Sequence, residues 1–382
     1  MITAPVSSQF PGSGLLDALP GSGSRWRSRR RGLLVTALRA TGRAVFAINP
    51  MAVARYRERH SVSRTKSDHA DAMALANILR TDAHAHRRLP ADTELVQSIT
   101  VLARAHQDAT WRRTRATSEL PSLLREYYPA FLKVFAGKSV TNLAKPEARA
   151  VLAIAPTPAA AARVSKARIA AALRRAGRQR GIDELAARLQ QALRQPALRQ
   201  LELVEEAFGR QALALLATPN VECANVEQLG EATMAAFAQH PDHAIITSFP
   251  GLGDITGARI LAEMGDDRTR FADARAVKAN AGSAPVTRAS GRSISISHRR
   301  IKNDRFAAAG WLWAFSAIAN NDDAMTHYRR RRDHGDRHSS ALRHLFNRML
   351  GQLWHCLQTG PLYDPARAFA REVQQRPAPV AA

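Results

Sequence analysis

Thr93-Glu94-Leu95-Val96-Gln97-Ser98-Ile99-Thr100-Val101-Leu102 opens a proline-poor stretch that continues to Tyr128. Its apolar residues fall at Leu95, Ile99, Leu102 and again from Leu120 onward, so one or two long helices are expected. Residues 147–208 extend the pattern. They are rich in Ala, Leu and Arg, broken mainly at Pro156, Pro158 and Pro196, and read as helical hairpins or a coiled-coil arm without a clean heptad. Beyond His243 short helices alternate with Gly, Asp and Ser turns. Trp311 and Trp313 are expected core residues of a buried, alanine-rich helix there, and Arg329 to Arg332 a solvated helix face.

Upstream of this stretch the texture is different. Residues 1–24 are rich in Gly, Pro and Ser without a period and read as disordered. A cationic run, Arg25-Trp26-Arg27-Ser28-Arg29-Arg30-Arg31, follows. Leu33 to Arg39 reads as a short helix, and Arg43 to Ile48 as an apolar strand ended by the turn at Asn49-Pro50. That order is α/β in style. Met51 to Arg59 and Ser67 to Arg80 are helical in pattern. Ser67 stands as the cap, and Met73, Ala74, Asn77 and Ile78 fall at helical spacing. The expected divisions are 1–24, 25–135, 136–240, 241–350 and a tail at 351–382.

The charge narrows the partner. With 382 residues the chain has room for two or three domains of roughly 150 residues each. Lys plus Arg number 56 against 32 Asp plus Glu, a net charge of +24, and the cations are overwhelmingly Arg, whose fork suits phosphate and guanine edges. A polyanion partner is expected. Cys223 and Cys356 lack zinc or disulfide spacing, which fits a reducing interior. No apolar run approaches about 18 residues, no secretory signal is evident, and a cytoplasmic protein without membrane contact is expected.

Three motifs bear on chemistry. In Lys66-Ser67-Asp68-His69-Ala70-Asp71 the carboxylates stand at i and i+3 of a helix start and project from one face. Such a pair can share a divalent cation, usually Mg²⁺; acidic residues in a first turn also simply complement the helix dipole. In Phe249-Pro250-Gly251-Leu252-Gly253-Asp254 the Gly-x-Gly turn opening a helix has the form of a helix-hairpin-helix. Gly251 and Gly253 would let the backbone approach a phosphate, unless the turn only joins core helices. In residues 282–302 Ser290 stands beside Gly291 on an expected loop ringed by Arg288, Arg292, His298, Arg299, Arg300 and Lys302. A phosphoryl-transfer nucleophile or a plain phosphate-binding loop would both look like this.

Taken in order, Gly32 through Asn49-Pro50, Tyr56-Arg57-Glu58-Arg59-His60-Ser61, the Lys66 to Asp71 motif and Leu75-Ala76-Asn77-Ile78-Leu79-Arg80-Thr81-Asp82 resemble the amino-terminal half of the DEDD transposases of insertion sequences, a family that includes Piv-type DNA invertases. Phe249 to Gly291 resembles their carboxyl-terminal transposase domain, so the likeness spans roughly 32–350. It implies a mainly α chain with a truncated RNase-H-like (RuvC-like) α/β domain, a coiled-coil arm for homo-oligomerisation and a helical domain with a nucleophilic serine. The implied partners are DNA and an element-encoded guide RNA, the implied cofactor is Mg²⁺, and the implied setting is the bacterial nucleoid. By motif, Asp68 and Asp71 stand at the family's last two metal-binding aspartates. Ser290, in the G-x-x-P-x-x-x-x-S-G pattern begun by Gly282 and Pro285, stands at its nucleophile.

The departure is at the front, where the family's first Asp and its Glu are not visible. Asp17 lies in a Leu/Pro/Gly context and Glu58 already belongs to the R-E-R-H stretch. The family reads something like P-V-A-I-E-T-P before the equivalent of Gly32. A nucleotide string encoding that peptide, CCGGTGGCGATCGAGACGCCGC, encodes R-W-R-S-R-R-R when shifted by one base. An out-of-frame segment before Gly32 is therefore expected, and with it a weak metal site and weak or absent strand transfer. The gene sequence upstream of Gly32 tests this: without an I-E-T-like stretch in the neighbouring frame, the explanation fails.

Overall fold

A computed structural model describes residues 32–60, 67–135 and 143–369. The expected disordered start, the cationic run, Lys66 and the last part of the expected tail lie outside the described residues. The chain divides into two compact units, Met1–Ala91 and Asp92–Ala382.

The first unit is built on α1 (Gly32–Ala40), α2 (Pro50–His60) and α3 (Asp68–Asp82), followed by a 3₁₀ turn at Ala83–Ala85. Ser67 caps α3 as expected: its backbone is extended and its hydroxyl accepts from the Ala70 amide at 3.1 Å. Ile48, Val53, Ala74, Ile78 and Leu79 form a small buried core with Phe46 and Tyr56 against it. The strand expected at Arg43 to Ile48 is not formed. Only a single antiparallel bridge, Phe46 to Arg88, is present, with the Leu89 amide donating to the Val45 carbonyl at 2.8 Å. The apolar run is real, since Val45 and Ile48 are buried. A ladder needs several consecutive partners, and this segment meets its neighbour at one residue.

The second unit is organised by two long helices. α4 (Glu94–Tyr127) leads into α5 (Pro129–Phe135), α6 (Pro146–Ile154), α7 (Pro158–Arg163), α8 (Lys166–Arg175) and α9 (Ile182–Leu193), and α10 (Glu202–Ala238) then returns along α4. Arg112 meets Glu222 and Tyr127 stacks on Phe208, so the two helices are antiparallel. At roughly 1.5 Å per residue each is about 50 Å long. Their far ends are buried in a core of Leu120, Leu124, Tyr127, Leu152, Leu173 and Leu216, closed by α5 to α9.

Their near ends, at Val96, Ile99 and Phe237, enter a second core. It is completed by α11 (His243–Thr247), α12 (Asp254–Met264), α13 (Ala274–Asn280), α14 (Asp304–Asn320), α15 (Asp322–Asp333), α16 (His338–Thr359) and α17 (Pro365–Ala368). The divisions expected at 135 and 240 both fall inside this unit, and α16 runs through the start of the expected tail at 351. Between α13 and α14 stand β1 (Val286–Ser290) and β2 (Ser293–Ser297), an antiparallel pair. A mainly helical chain with this small sheet is the observed class.

One core expectation is corrected. Trp313 is fully buried, its indole N–H donating to the Pro250 carbonyl at 3.0 Å, but Trp311 is 44 % exposed. Residues two apart on a helix point about 200° away from each other, so a single helix cannot bury both on one side.

Candidate functional site

The carboxylate pair lies at the first turn of α3. Ser67 starts the helix, so Asp68 and Asp71 sit at its positive end, one turn apart on one face. Asp68 is exposed. Asp71 is half-buried and ion-paired with the Arg57 guanidinium of α2, the first Arg of the R-E-R-H stretch. Behind them Ala74 and Ile78 pack α3 onto Val53, which fixes the spacing of the two helices.

A Mg²⁺ ion asks for near-octahedral oxygen ligands and several anionic donors. Here one of two carboxylates is already neutralised by a cation, and among the described residues no group of three or more His, Cys, Asp or Glu could hold a metal. Asp68 and Asp71 by themselves do not fit such an ion.

Ser290 is not on a loop, as expected, but at the last position of β1. It faces Ser293 across the turn formed with Gly291 and Arg292, and Gly291 takes the left-handed conformation, φ 55°, that a two-residue connection requires. Alternation along the ribbon divides the side chains. Arg288, Ser290, Ser293 and Ser295 share one face; Thr287, Ala289, Ile294 and Ile296 share the other. Apart from half-buried Val286, both faces are exposed along both strands. The ribbon thus presents a serine hydroxyl at its tip, with Arg288 two residues behind it and Arg292 in the turn. Ser283, at the start of the segment, is buried and donates to the Lys278 carbonyl at 3.3 Å.

The basic residues after β2 separate by environment. Arg300 is exposed and Arg299 half-buried, while Lys302 lies over Gly282, whose φ is +72°, and pairs with Asp304 at 3.2 Å. Burial, then the charges of Arg343, Lys302 and Arg300, push the His298 imidazole below its ordinary value. The charge of Arg343 on α16, a cation that sequence reading did not single out, thus acts at the exit of the ribbon. Nothing in the local pattern His338-Ser339-Ser340-Ala341-Leu342-Arg343 marks it, because the approach is made by tertiary packing.

The Gly-x-Gly turn joins α11 to α12, and its glycines differ. Gly251 has φ +79°, and a Cβ there would lie 2.5 Å from the Ala317 amide nitrogen. Close packing on α14 therefore accounts for it. Gly253 caps α12 from extended backbone, is exposed, and a Cβ there would meet nothing within 4 Å. Gly257 packs α12 tightly on Ile246 of α11 and Phe237 of α10. His243 of α11 and Asp254 of α12 hydrogen-bond at 2.9 Å beside the α12 N-terminus.

Comparison with known proteins places these features. A model of DEDD transposases of the IS110 type, described as a transposase, matches residues 25–129 and so spans Asp68 and Asp71. A model described as the transposase IS116/IS110/IS902 family matches residues 243–329, spanning Gly251, Gly253, Ser290 and the basic segment after β2. The chain is 56% identical over 343 residues to the mini-circle putative transposase for IS117 of Streptomyces coelicolor, covering 90% of this chain and 83% of that protein. It is 30% identical to the 42 kDa protein of insertion element IS900 of Mycobacterium paratuberculosis, covering 80% and 74%. A 29% identity relates it to the 43.6 kDa protein of insertion element IS110 of Streptomyces coelicolor, covering 78% and 72%.

Proposed function

This chain belongs to the DEDD transposase family of IS110-type insertion sequences, and from that premise we propose that it rearranges DNA through Ser290. The hydroxyl at the ribbon tip attacks a DNA phosphorus. The Ser290 Oγ–P bond forms as a deoxyribose oxygen leaves with the proton the serine gives up, and attack by a second deoxyribose hydroxyl reverses the link and reseals the strand. Arg288, on the same ribbon face, and Arg292 meet the charge that builds on the phosphate oxygens. Arg299, Arg300, Lys302 and the exposed Gly253 amide hold flanking phosphates. The observation that carries the reading is the position of an exposed serine at the tip of a ribbon bearing arginine on the same face.

The first unit is a shortened RNase-H-like domain in this reading, supported by the placement of both aspartates at the start of α3, and α11 with α12 is a helix-hairpin-helix contacting backbone. The family's divalent-metal dependence is not met by Asp68 and Asp71 with Arg57 on one of them, so strand transfer by this chain is weak. Self-association runs through the α4–α10 pair, where Leu203, Leu213 and Val221 are exposed along α10. A guide RNA joining target and donor DNA completes the family scheme in the nucleoid, and RNA retained on the purified chain tests for it.

The test of the central claim is a nicked DNA substrate that traps a covalent intermediate. The parent forms a protein–DNA adduct mapping to Ser290; Ser290→Ala forms none while still binding DNA, and Ser293→Ala still forms it. An adduct that persists in Ser290→Ala overturns the assignment.

A further inference from the structure

We propose that an aromatic line on α14, α15 and α16 is a stacking site for unpaired bases of single-stranded DNA. It begins with Trp311 and Phe315, one helical turn apart, 44 % and 46 % exposed, with ring centroids 5.3 Å apart and planes within 5° of parallel. Phe315 meets the His338 ring edge-on at 6.4 Å. His338 in turn meets Tyr328 at 5.7 Å and shares a 2.8 Å hydrogen bond with its hydroxyl. The line ends among cations: Arg332 lies one turn beyond Tyr328 on α15, and Arg337 precedes His338, both exposed.

Three considerations select the occupant. A Trp and a Phe stacked on each other in solvent are an unusual expense of apolar surface in a chain with only 6% aromatic residues, and such patches mark binding sites. A run of rings that ends beside guanidinium groups matches a strand of bases with its phosphates, and because every base has a π-face the site tolerates any sequence. A second copy meeting this line face to face is a poor fit, since it would set the exposed Arg332 and Arg337 against their own counterparts. A duplex keeps its bases stacked inside, so the line serves only strands that are opened. The inference rests on the DNA-handling reading above and adds to it a site for the unpaired strand, away from Ser290 in sequence.

The test uses the full chain and anisotropy of labelled oligothymidylate, with a duplex as the parallel probe. Trp311→Leu keeps apolar volume and loses the ring, and is expected to weaken oligothymidylate binding about fivefold or more. Trp311→Phe keeps a ring and most of the affinity, and duplex affinity is unchanged in both. Equal oligothymidylate binding by parent and Trp311→Leu overturns the proposal, as does a loss of the same size on duplex. A loss confined to oligouridylate overturns the assignment to DNA. Sedimentation in which Trp311→Leu loses self-association while keeping oligothymidylate affinity overturns it in favour of a protein contact. A parent that binds neither probe would instead defeat the DNA-handling reading itself.

Discussion

The Asp71 carboxylate of α3 is paired with the Arg57 guanidinium of α2, and this pair ties together two helices of the first unit. It also makes the two aspartates inequivalent, because Asp68 is exposed beside it. Asp71→Asn is expected to destabilise the unit by about 1 kcal/mol through loss of a partly exposed charge-assisted bond. Asp68→Asn should cost less than about 0.5 kcal/mol. Urea unfolding followed on the first unit compares them; equal effects would mean that Arg57 does not distinguish the two.

In the second unit Glu263 of α12, 2 % exposed, accepts from Nε and Nη2 of Arg104 at 2.6 Å and from the Asn303 side-chain amide at 2.7 Å. It therefore joins α4, α12 and the cap of α14. Arg104→Ala leaves a buried carboxylate with one neutral donor, and a loss of about 3 kcal/mol is expected in denaturant unfolding. A loss below about 1 kcal/mol would show that water or a neighbour takes over the contact.

His106 is buried on α4 beside Arg259 of α12, at 3.3 Å, and against Gly230 of α10. Burial, then the Arg259 and Arg113 charges, lower its pKa from 6.5 to about 4. The unfolded chain binds a proton that the folded chain refuses, so the contribution is intact above pH 6.5 and is lost as pH falls towards 4. Its full size is roughly 3 kcal/mol. His106→Gln removes this component, so the variant should gain on the parent by up to that amount between neutral and acid pH. Parallel stability curves for the two proteins would contradict it.

The two turn glycines separate packing from binding. Gly251→Ala forces a Cβ into the α14 backbone at a positive φ and is expected to lower the thermal midpoint by many degrees. Gly253→Ala meets open space, so its stability cost stays within about 1 kcal/mol, while duplex affinity falls if its amide approaches phosphate. Unchanged affinity in a folded Gly253→Ala protein would remove this turn from the DNA surface.

Much of the helical fold was legible because its signals are local. Ser67 capping α3, the start of α4 at Thr93 and the turn at Gly251 need only neighbours in sequence. The heptad of the arm was hidden for a chemical reason. Buried positions on α10 recur three and four apart, at Glu205, Gly209, Ala212, Leu216, Pro219 and Cys223, then Gly230, Thr233 and Phe237. Most are small or polar, so no apolar stripe advertises the seam, and its partner α4 lies some hundred residues upstream. The ribbon at Ser290 reads as a loop in sequence because both of its strands are exposed and rich in Ser and Thr, so neither face carries the buried apolar stripe of a half-buried strand.

Sequence alone determined the helical class, the basic character, the carboxylate spacing on α3 and the order of motifs that identifies the family, since all of these are properties of neighbouring residues or of composition. Tertiary structure alone decided that Arg57 occupies Asp71, that Gly251 is filled by the Ala317 backbone, that Arg343 approaches His298, and that Trp311 faces solvent while Trp313 does not. Each of those depends on which surfaces meet after the chain has folded back on itself, and burial and charge pairing are set by that meeting.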